Sequence, residues 1–191
     1  MENINFTKIE LIKGGQGFSA KWNYRKNTSY IEDGRKSMQR CHPDLIRGFL
    51  KLRSHFLRAS SILGPSSFKT LDRLTEEERQ YFDKALEETV VKYIGFNSRN
   101  EVYIGGYYPV FPGKVINVLT PGISDDFENE DDFYFKYKQE LYQIIDEIEK
   151  EAKLYIFHEK NDEENLFDGV TEEGFDDNQL VDKEYREEES E

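Results

Sequence analysis

The chain has 191 residues, 37% hydrophobic and 14% aromatic, with a formal net charge of −13 and one cysteine. That length suits one domain with an extension, and the aromatic content argues against wholesale disorder. Cys41 alone allows no internal disulfide, no basic segment leads into an apolar run after Met1, and no window nears the ~18 apolar residues of a membrane span. The expectation is a cytoplasmic protein without signal peptide or membrane partner.

The charge is polarised along the chain. Residues 1–60 hold 12 Lys/Arg against 5 Asp/Glu, whereas residues 159–191 hold 3 against 15. Alternation of apolar and polar residues predicts strands over 4–12 and 18–25, joined by the turn Gly14-Gly15-Gln16-Gly17. In the first, Thr7, Ile9 and Leu11 share a face; in the second, Phe18, Ala20, Trp22 and Tyr24 point one way and Ser19, Lys21, Asn23 and Arg25 the other. A third strand falls at 28–32 or 35–41. His42-Pro43-Asp44 starts a helix with proline where its missing N–H costs nothing. Leu45, Phe49, Leu52 and Phe56 form its apolar face, and Arg47, Lys51 and Arg58 lie opposite, up to the breaker Gly64-Pro65.

After a loop at 64–74, Thr75 and Glu78 form a capping box for a helix over 75–88, with Tyr81, Phe82, Ala85 and Leu86 as its apolar face. Strands follow at 89–96, 101–111 and 114–119, spaced as an antiparallel meander, with Gly105-Gly106 marking a bulge or a close backbone approach. The acidic loop 125–132 precedes a helix over 132–153 whose stripe is Leu141, Ile144, Ile145, Ile148 and Ala152; Leu154-Tyr155-Ile156-Phe157 continues it or forms a closing strand. From Glu159 onward acids dominate, and too little apolar surface is available to offset chain entropy, so 159–191 reads as a disordered tail. The order, three strands, two helices, three strands and a helix, suggests two related halves.

The strongest functional pattern is Lys21-Trp22-Asn23-Tyr24-Arg25-Lys26. Single strands of nucleic acid are held by cations on phosphates and aromatic rings stacked on bases. Trp22 and Tyr24 either stack in this way or form the buried face of the strand, in which case Lys21 and Arg25 still face outward. Arg35, Lys36, Arg40, Arg47, Lys51, Arg53 and Arg58 extend the positive run, and multiple phosphate contacts make affinity fall with salt. The glycine-rich turn lacks the Lys-Ser/Thr and following helix of a phosphate loop. Cys41, His42, His55 and His158 lack zinc-finger spacing, and the acidic loop lacks the calcium-loop order of ligands. No nucleophile and base can be paired by spacing, so neither metal, cofactor nor covalent catalysis is expected. The tail is a solubiliser, a tethered competitor for the basic surface, or a docking arm with Phe167, Phe175, Asp176 and Asp177 as contacts.

With Glu172-Glu173-Gly174-Phe175-Asp176-Asp177 in view, the layout resembles bacteriophage-encoded single-stranded DNA-binding proteins. That resemblance implies a β-rich binding body, often an OB-fold, and an acidic C-terminal tail that recruits replication and recombination proteins. The chain departs from their pattern in placing this segment away from its end, Glu187-Glu188-Glu189-Ser190-Glu191. His42-Pro43-Asp44-Leu45, the run from Val115 to Pro121, and Glu140-Leu141-Tyr142 continuing to Leu154-Tyr155-Ile156-Phe157 also resemble a group of bacteriophage proteins of unknown function.

The sequence therefore predicts an α+β domain over 1–158, with antiparallel sheet and two to three helices, an OB-like partial barrel as the alternative, and a disordered acidic tail over 159–191. The expected function is non-sequence-specific binding of single-stranded DNA in phage replication or recombination, without enzymatic activity. The alternative is an acidic protein that mimics DNA and blocks a host enzyme; a metal-dependent nuclease using the acidic loop ranks third.

Overall fold

The computed structural model describes residues 4–26, 28–111, 113–124 and 135–157. It is an α+β fold. Strands β1 (Ile4–Ile12), β2 (Gly17–Lys26) and β3 (Ser29–Ser37) precede helices α1 (Pro43–Ala59) and α2 (Glu76–Glu88); β4 (Val90–Phe96), β5 (Val102–Phe111) and β6 (Lys114–Leu119) then lead to helix α3 (Lys138–Phe157). The six strands form one antiparallel sheet in the order β3-β2-β1-β4-β5-β6. Each half is a three-stranded meander, and the two meet along β1 and β4. β3 and β6 stand at opposite edges, so the sheet is open and the OB-like barrel does not form.

Side-chain alternation places Ile9 and Leu11 of β1 with Phe18, Ala20 and Trp22 of β2, Ile94 of β4 and Ile104 of β5 on one buried face. Phe6 joins them because the register shifts between Phe6 and Lys8, inserting Thr7 as an extra residue and reversing the parity of the strand. The turn between β1 and β2 is a single 3-10 turn, Lys13–Gly15, with positive φ at all three residues. Gly15 is required there twice over: its φ is 110°, and a Cβ would lie 2.9 Å from Ile46 Cδ1. The third strand, expected at 28–32 or 35–41, is one element that covers most of the first position and only the start of the second, ending at Ser37.

α1 and α3 pack on each other and cover the buried face of the sheet. Leu45, Phe49, Leu52 and Phe56 of α1 meet Leu141, Ile144, Ile145, Ile148 and Ala152 of α3 in one core. Gly48 leaves room for α3 to come close: a Cβ there would lie 2.6 Å from Ile148 Cγ1. His42 caps α1, its Nδ1 accepting the Asp44 N–H at 3.2 Å. Leu154 to Phe157 continue α3, which buries Tyr155 beside Phe18 with ring centroids 5.1 Å apart; the Tyr155 hydroxyl accepts the His42 N–H.

α2 begins at the predicted capping box, in which Thr75 Oγ1 accepts the Glu78 N–H and Glu78 accepts the Thr75 N–H. A hydrogen bond from Lys69, then those from the Thr75 N–H and Ser66, hold the Glu78 carboxyl down at about 2. Phe82 and Ala85 pack with Leu57, Leu63, Leu74 and Tyr108 in a second, smaller core. Tyr81, expected on that apolar face, is instead exposed and shares a hydrogen bond with the Tyr108 hydroxyl.

Arg58 is the main correction on α1. Placed by helical spacing on the solvent stripe, it is 5% exposed, because the segment between α1 and α2 folds back over the end of α1. Its guanidinium donates to the carbonyls of Ser67 and Lys69 and to the Tyr137 hydroxyl, and it lies over the rings of Tyr137 and Phe82. It is a core strut and is unavailable to phosphate. The acidic loop at 125–132, His158, and the tail 159–191 with Phe167, Phe175, Asp176 and Asp177 lie outside the described residues.

Candidate nucleic-acid interface

Both large helices lie on one side of the sheet, so the strands present their alternate residues on a face that no described helix covers. Strand register fixes what stands there. One row runs Gly34, Lys21, Lys8, Gly95, Tyr103 across β3, β2, β1, β4 and β5. The next runs Lys36, Ser19, Glu10, Tyr93, Gly105, Leu119 and reaches β6. Arg25, opposite Tyr30, and Tyr107, opposite Asn117, belong to the same face.

Lys8 and Lys21 are cross-strand partners. Like charges directly opposite one another destabilise a sheet, and an anion bound between them removes that cost. Glu10 pairs with Lys8 at 2.7 Å. Of the glycines flanking the lysine pair, Gly34 is exposed, whereas Gly95 lies beneath the Tyr103 ring.

The aromatic part of the face comes from a repeated tripeptide, Tyr93-Ile94-Gly95 and Tyr103-Ile104-Gly105. Antiparallel pairing sets each tyrosine opposite the other copy's glycine and Ile94 opposite Ile104 in the core. The rings lie across the glycines: a Cβ on Gly95 or Gly105 would come within 2.2 Å of Tyr103 Cζ or Tyr93 Cζ respectively. The close backbone approach expected at Gly105-Gly106 falls at Gly106, where a Cβ would lie 2.2 Å from the Val90 carbonyl oxygen, while the register shift lies on the partner strand, between Val91 and Tyr93. The two rings meet edge-on with centroids 6.4 Å apart. Lys8 Nζ stands 4.5 Å from the Tyr93 ring and Lys92 Nζ 4.2 Å from the Tyr107 ring, so cations and rings alternate on one surface.

Of the residues singled out in the sequence as nucleic-acid contacts, three reach this face: Lys21, Arg25 and Lys36. Trp22 is 6% exposed, opposite Phe6 on the helix-covered side; it belongs to the core and is not available for stacking. Tyr24 is half-buried on the same side, against Ile4 and Ile31. Arg35 also points that way and donates to the Ile156 carbonyl at the end of α3 at 2.7 Å, where a cation complements the helix dipole. Lys26 is exposed at the end of β2, and Arg40 is exposed between β3 and α1.

Arg47 and Lys51 lie on α1, behind the sheet. They line a depression with Asp44, Glu147, Lys150 and Glu151. Lys51 pairs with Glu147 at 2.8 Å and Arg47 with Asp44 at 3.1 Å. Cations and carboxylates balance there, unlike the acidic cluster that holds the ions of a two-metal nuclease. His42, Asp44 and Glu151 each bring one candidate metal ligand within 4.8 Å of the others. His42 Nδ1 already accepts the Asp44 N–H, and Asp44 already pairs with Arg47, so capping and ion pairing account for that geometry.

Lys8, Lys92, Tyr93, Tyr103 and Tyr107 were missed in the sequence. The Tyr-Ile-Gly repeat was the available signal: two identical tripeptides on successive strands, each with an aromatic and a glycine on the same face. No family model, curated protein or solved structure matches the chain. No helix among the described residues is long and apolar enough to cross a membrane.

Proposed function

We propose that the open face of the sheet binds single-stranded nucleic acid without sequence preference, through phosphate contacts from Lys8, Lys21, Arg25, Lys36 and Lys92 and base stacking on Tyr93, Tyr103 and Tyr107. The observation that carries this is the directly opposed Lys8–Lys21 pair bordered by the two tyrosines. A surface of rings and cations suits unpaired bases, whose faces are free, better than a duplex, whose faces are stacked. The preference for DNA, the place in bacteriophage replication or recombination within the host cytoplasm, and recruitment of partner proteins by the acidic tail follow from the resemblance to phage single-stranded DNA-binding proteins. The protein acts by binding and performs no chemistry. Acids such as Glu76, Glu77, Asp83, Glu87 and Glu88 are exposed on α2. That is the feature DNA mimicry would use, but the bases gathered on the uncovered face favour binding.

Titration of labelled single-stranded and duplex oligonucleotides at several salt concentrations tests the proposal. Five phosphate contacts on a single strand give a log–log salt slope of about −3.5. Lys8→Glu with Lys21→Glu should abolish binding, whereas Arg47→Glu with Lys51→Glu should leave it nearly intact. Absence of binding at low salt, or equal loss from both pairs of substitutions, would refute it.

A further inference from the structure

The two edges of the sheet are built differently. β3 carries Glu32, Asp33, Arg35 and Lys36, charges of the kind that keep an edge from pairing with another chain. β6, Lys-Val-Ile-Asn-Val-Leu, is the other edge and is last in the strand order, so among the described residues it has a sheet neighbour on one side only. Val115 is 61% exposed, Leu119 56% and Ile116 42%, with Val110 of β5 beside them at 40%. These are four of the nine large apolar side chains most exposed among the described residues, which makes the edge the main apolar patch of the surface.

We propose that β6 pairs antiparallel with β6 of a second copy of this chain, about a two-fold axis through Asn117. Pairing with β5 fixes which way each side chain points: Val115, Asn117 and Leu119 stand on the open face, opposite Pro109, Tyr107 and Gly105, while Ile116 and Val118 stand on the helix side, opposite Tyr108 and Gly106. A symmetric pair must keep faces matched, because the side-chain period of a strand is two. The axis therefore passes through a residue and not between two. Through Asn117, Val115 meets Leu119, Ile116 meets Val118, and the Asn117 amide meets its own copy, which can both donate and accept. Through Ile116, Val115 would face Asn117 and Lys114 would face Val118. Through Val118, Leu119 would face Asn117. Only the Asn117 axis matches apolar with apolar throughout, and this self-complementarity points to a second copy as the occupant.

Such an axis stands perpendicular to the sheet, so both open faces look the same way. Two six-stranded sheets become one, with a Tyr107 beside the seam on each side. The doubling of the binding platform rests on the function proposed above; the pairing itself does not. The interface is small, of the size class that associates reversibly. Each copy carries a net charge of −13, so screening should strengthen the association, whereas it weakens nucleic-acid binding. The opposite salt dependences separate failure of one proposal from failure of the other.

Sedimentation equilibrium of the full chain without nucleic acid, at about 0.15 M and about 0.5 M salt, reads the oligomeric state. A monomer–dimer equilibrium that tightens at the higher salt is expected. Val115→Lys with Leu119→Lys changes side chains that are already mostly exposed; it should leave the melting transition in place and the chain monomeric at every concentration. Asn117→Cys should give a covalent dimer on oxidation, while Lys114→Cys should not; the native Cys41 is buried and does not compete. Three results would each overturn the proposal: a wild-type chain monomeric at all concentrations, a dimer that survives the two lysines, or cross-linking by Lys114→Cys in place of Asn117→Cys.

Discussion

Trp22 and Lys21 are adjacent in sequence and lie on opposite faces of the sheet, so truncating each to alanine should give opposite outcomes. Trp22 is 6% exposed and is packed beside Phe6 in the core beneath α1 and α3. Removing a buried indole costs about 3–5 kcal/mol from lost transfer energy and the cavity left behind. At 2–4 °C per kcal/mol for a chain of this size, the melting temperature should fall by roughly 6–20 °C. Affinity for oligonucleotide, measured well below the transition, should stay within about twofold because the ring faces away from the proposed site. Lys21→Ala should shift stability by less than about 0.5 kcal/mol, slightly upward if anything, since it relieves the opposition with Lys8. It should also make the salt slope shallower by about 0.7, the value of one phosphate contact. Circular dichroism melts and fluorescence anisotropy of a labelled single strand read the two quantities separately. A Trp22→Ala protein that melts normally but binds poorly would reverse the assignment of faces, and an unchanged salt slope in Lys21→Ala would remove that lysine from the site.

Tyr93→Ala and Tyr103→Ala should each weaken binding of single strands by about 1–3 kcal/mol in an anisotropy titration, with phenylalanine at either position restoring most of it, because stacking needs the ring and not the hydroxyl. Arg58→Met should lower stability by about 2–4 kcal/mol in denaturant titrations, since the Ser67 and Lys69 carbonyls lose their donor, and Arg58→Lys should not rescue it because one ammonium cannot reproduce the planar fork. His55 is buried, and neither ring nitrogen has a hydrogen-bond partner among the described residues, although Nε2 lies 3.9 Å from the Glu140 carboxylate; burial first of all holds its pKa below the ordinary 6.5, Glu140 opposes that, and Arg58 adds to it. The unfolded chain therefore binds the proton more readily. Stability should be full above about pH 6.5 and decline as pH falls from there toward the folded-state value, with His55→Phe flattening that part of the stability–pH curve.

Local pattern alone determined most of the secondary structure. The capping box at Thr75, the proline start at Pro43, the alternation in 18–25 and the stripe from Leu141 to Ala152 are short-range signals set by backbone hydrogen bonding and side-chain periodicity. They appear in the fold where the sequence put them. Tertiary structure decided which face of each element is buried at its ends and irregularities. The extra residue at Thr7 moved Phe6 into the core, and the fold-back after α1 buried Arg58, neither of which a periodicity can register.

The candidate site depended still more on tertiary pairing. The basic run from Lys21 to Lys51 looked continuous in sequence, yet the sheet divides it. Lys21, Arg25 and Lys36 go to one side; Trp22 and Arg35 go to the other, and Arg47 and Lys51 lie among carboxylates on the helix layer. The partners that complete the open face come from residues 8 and 92–107, brought beside Lys21 by the β1–β4 contact between the two meanders. Sequence fixes the composition of each strand and the alternation of its faces. The order of strands in a sheet, and hence which faces adjoin, is set by long-range burial of the core.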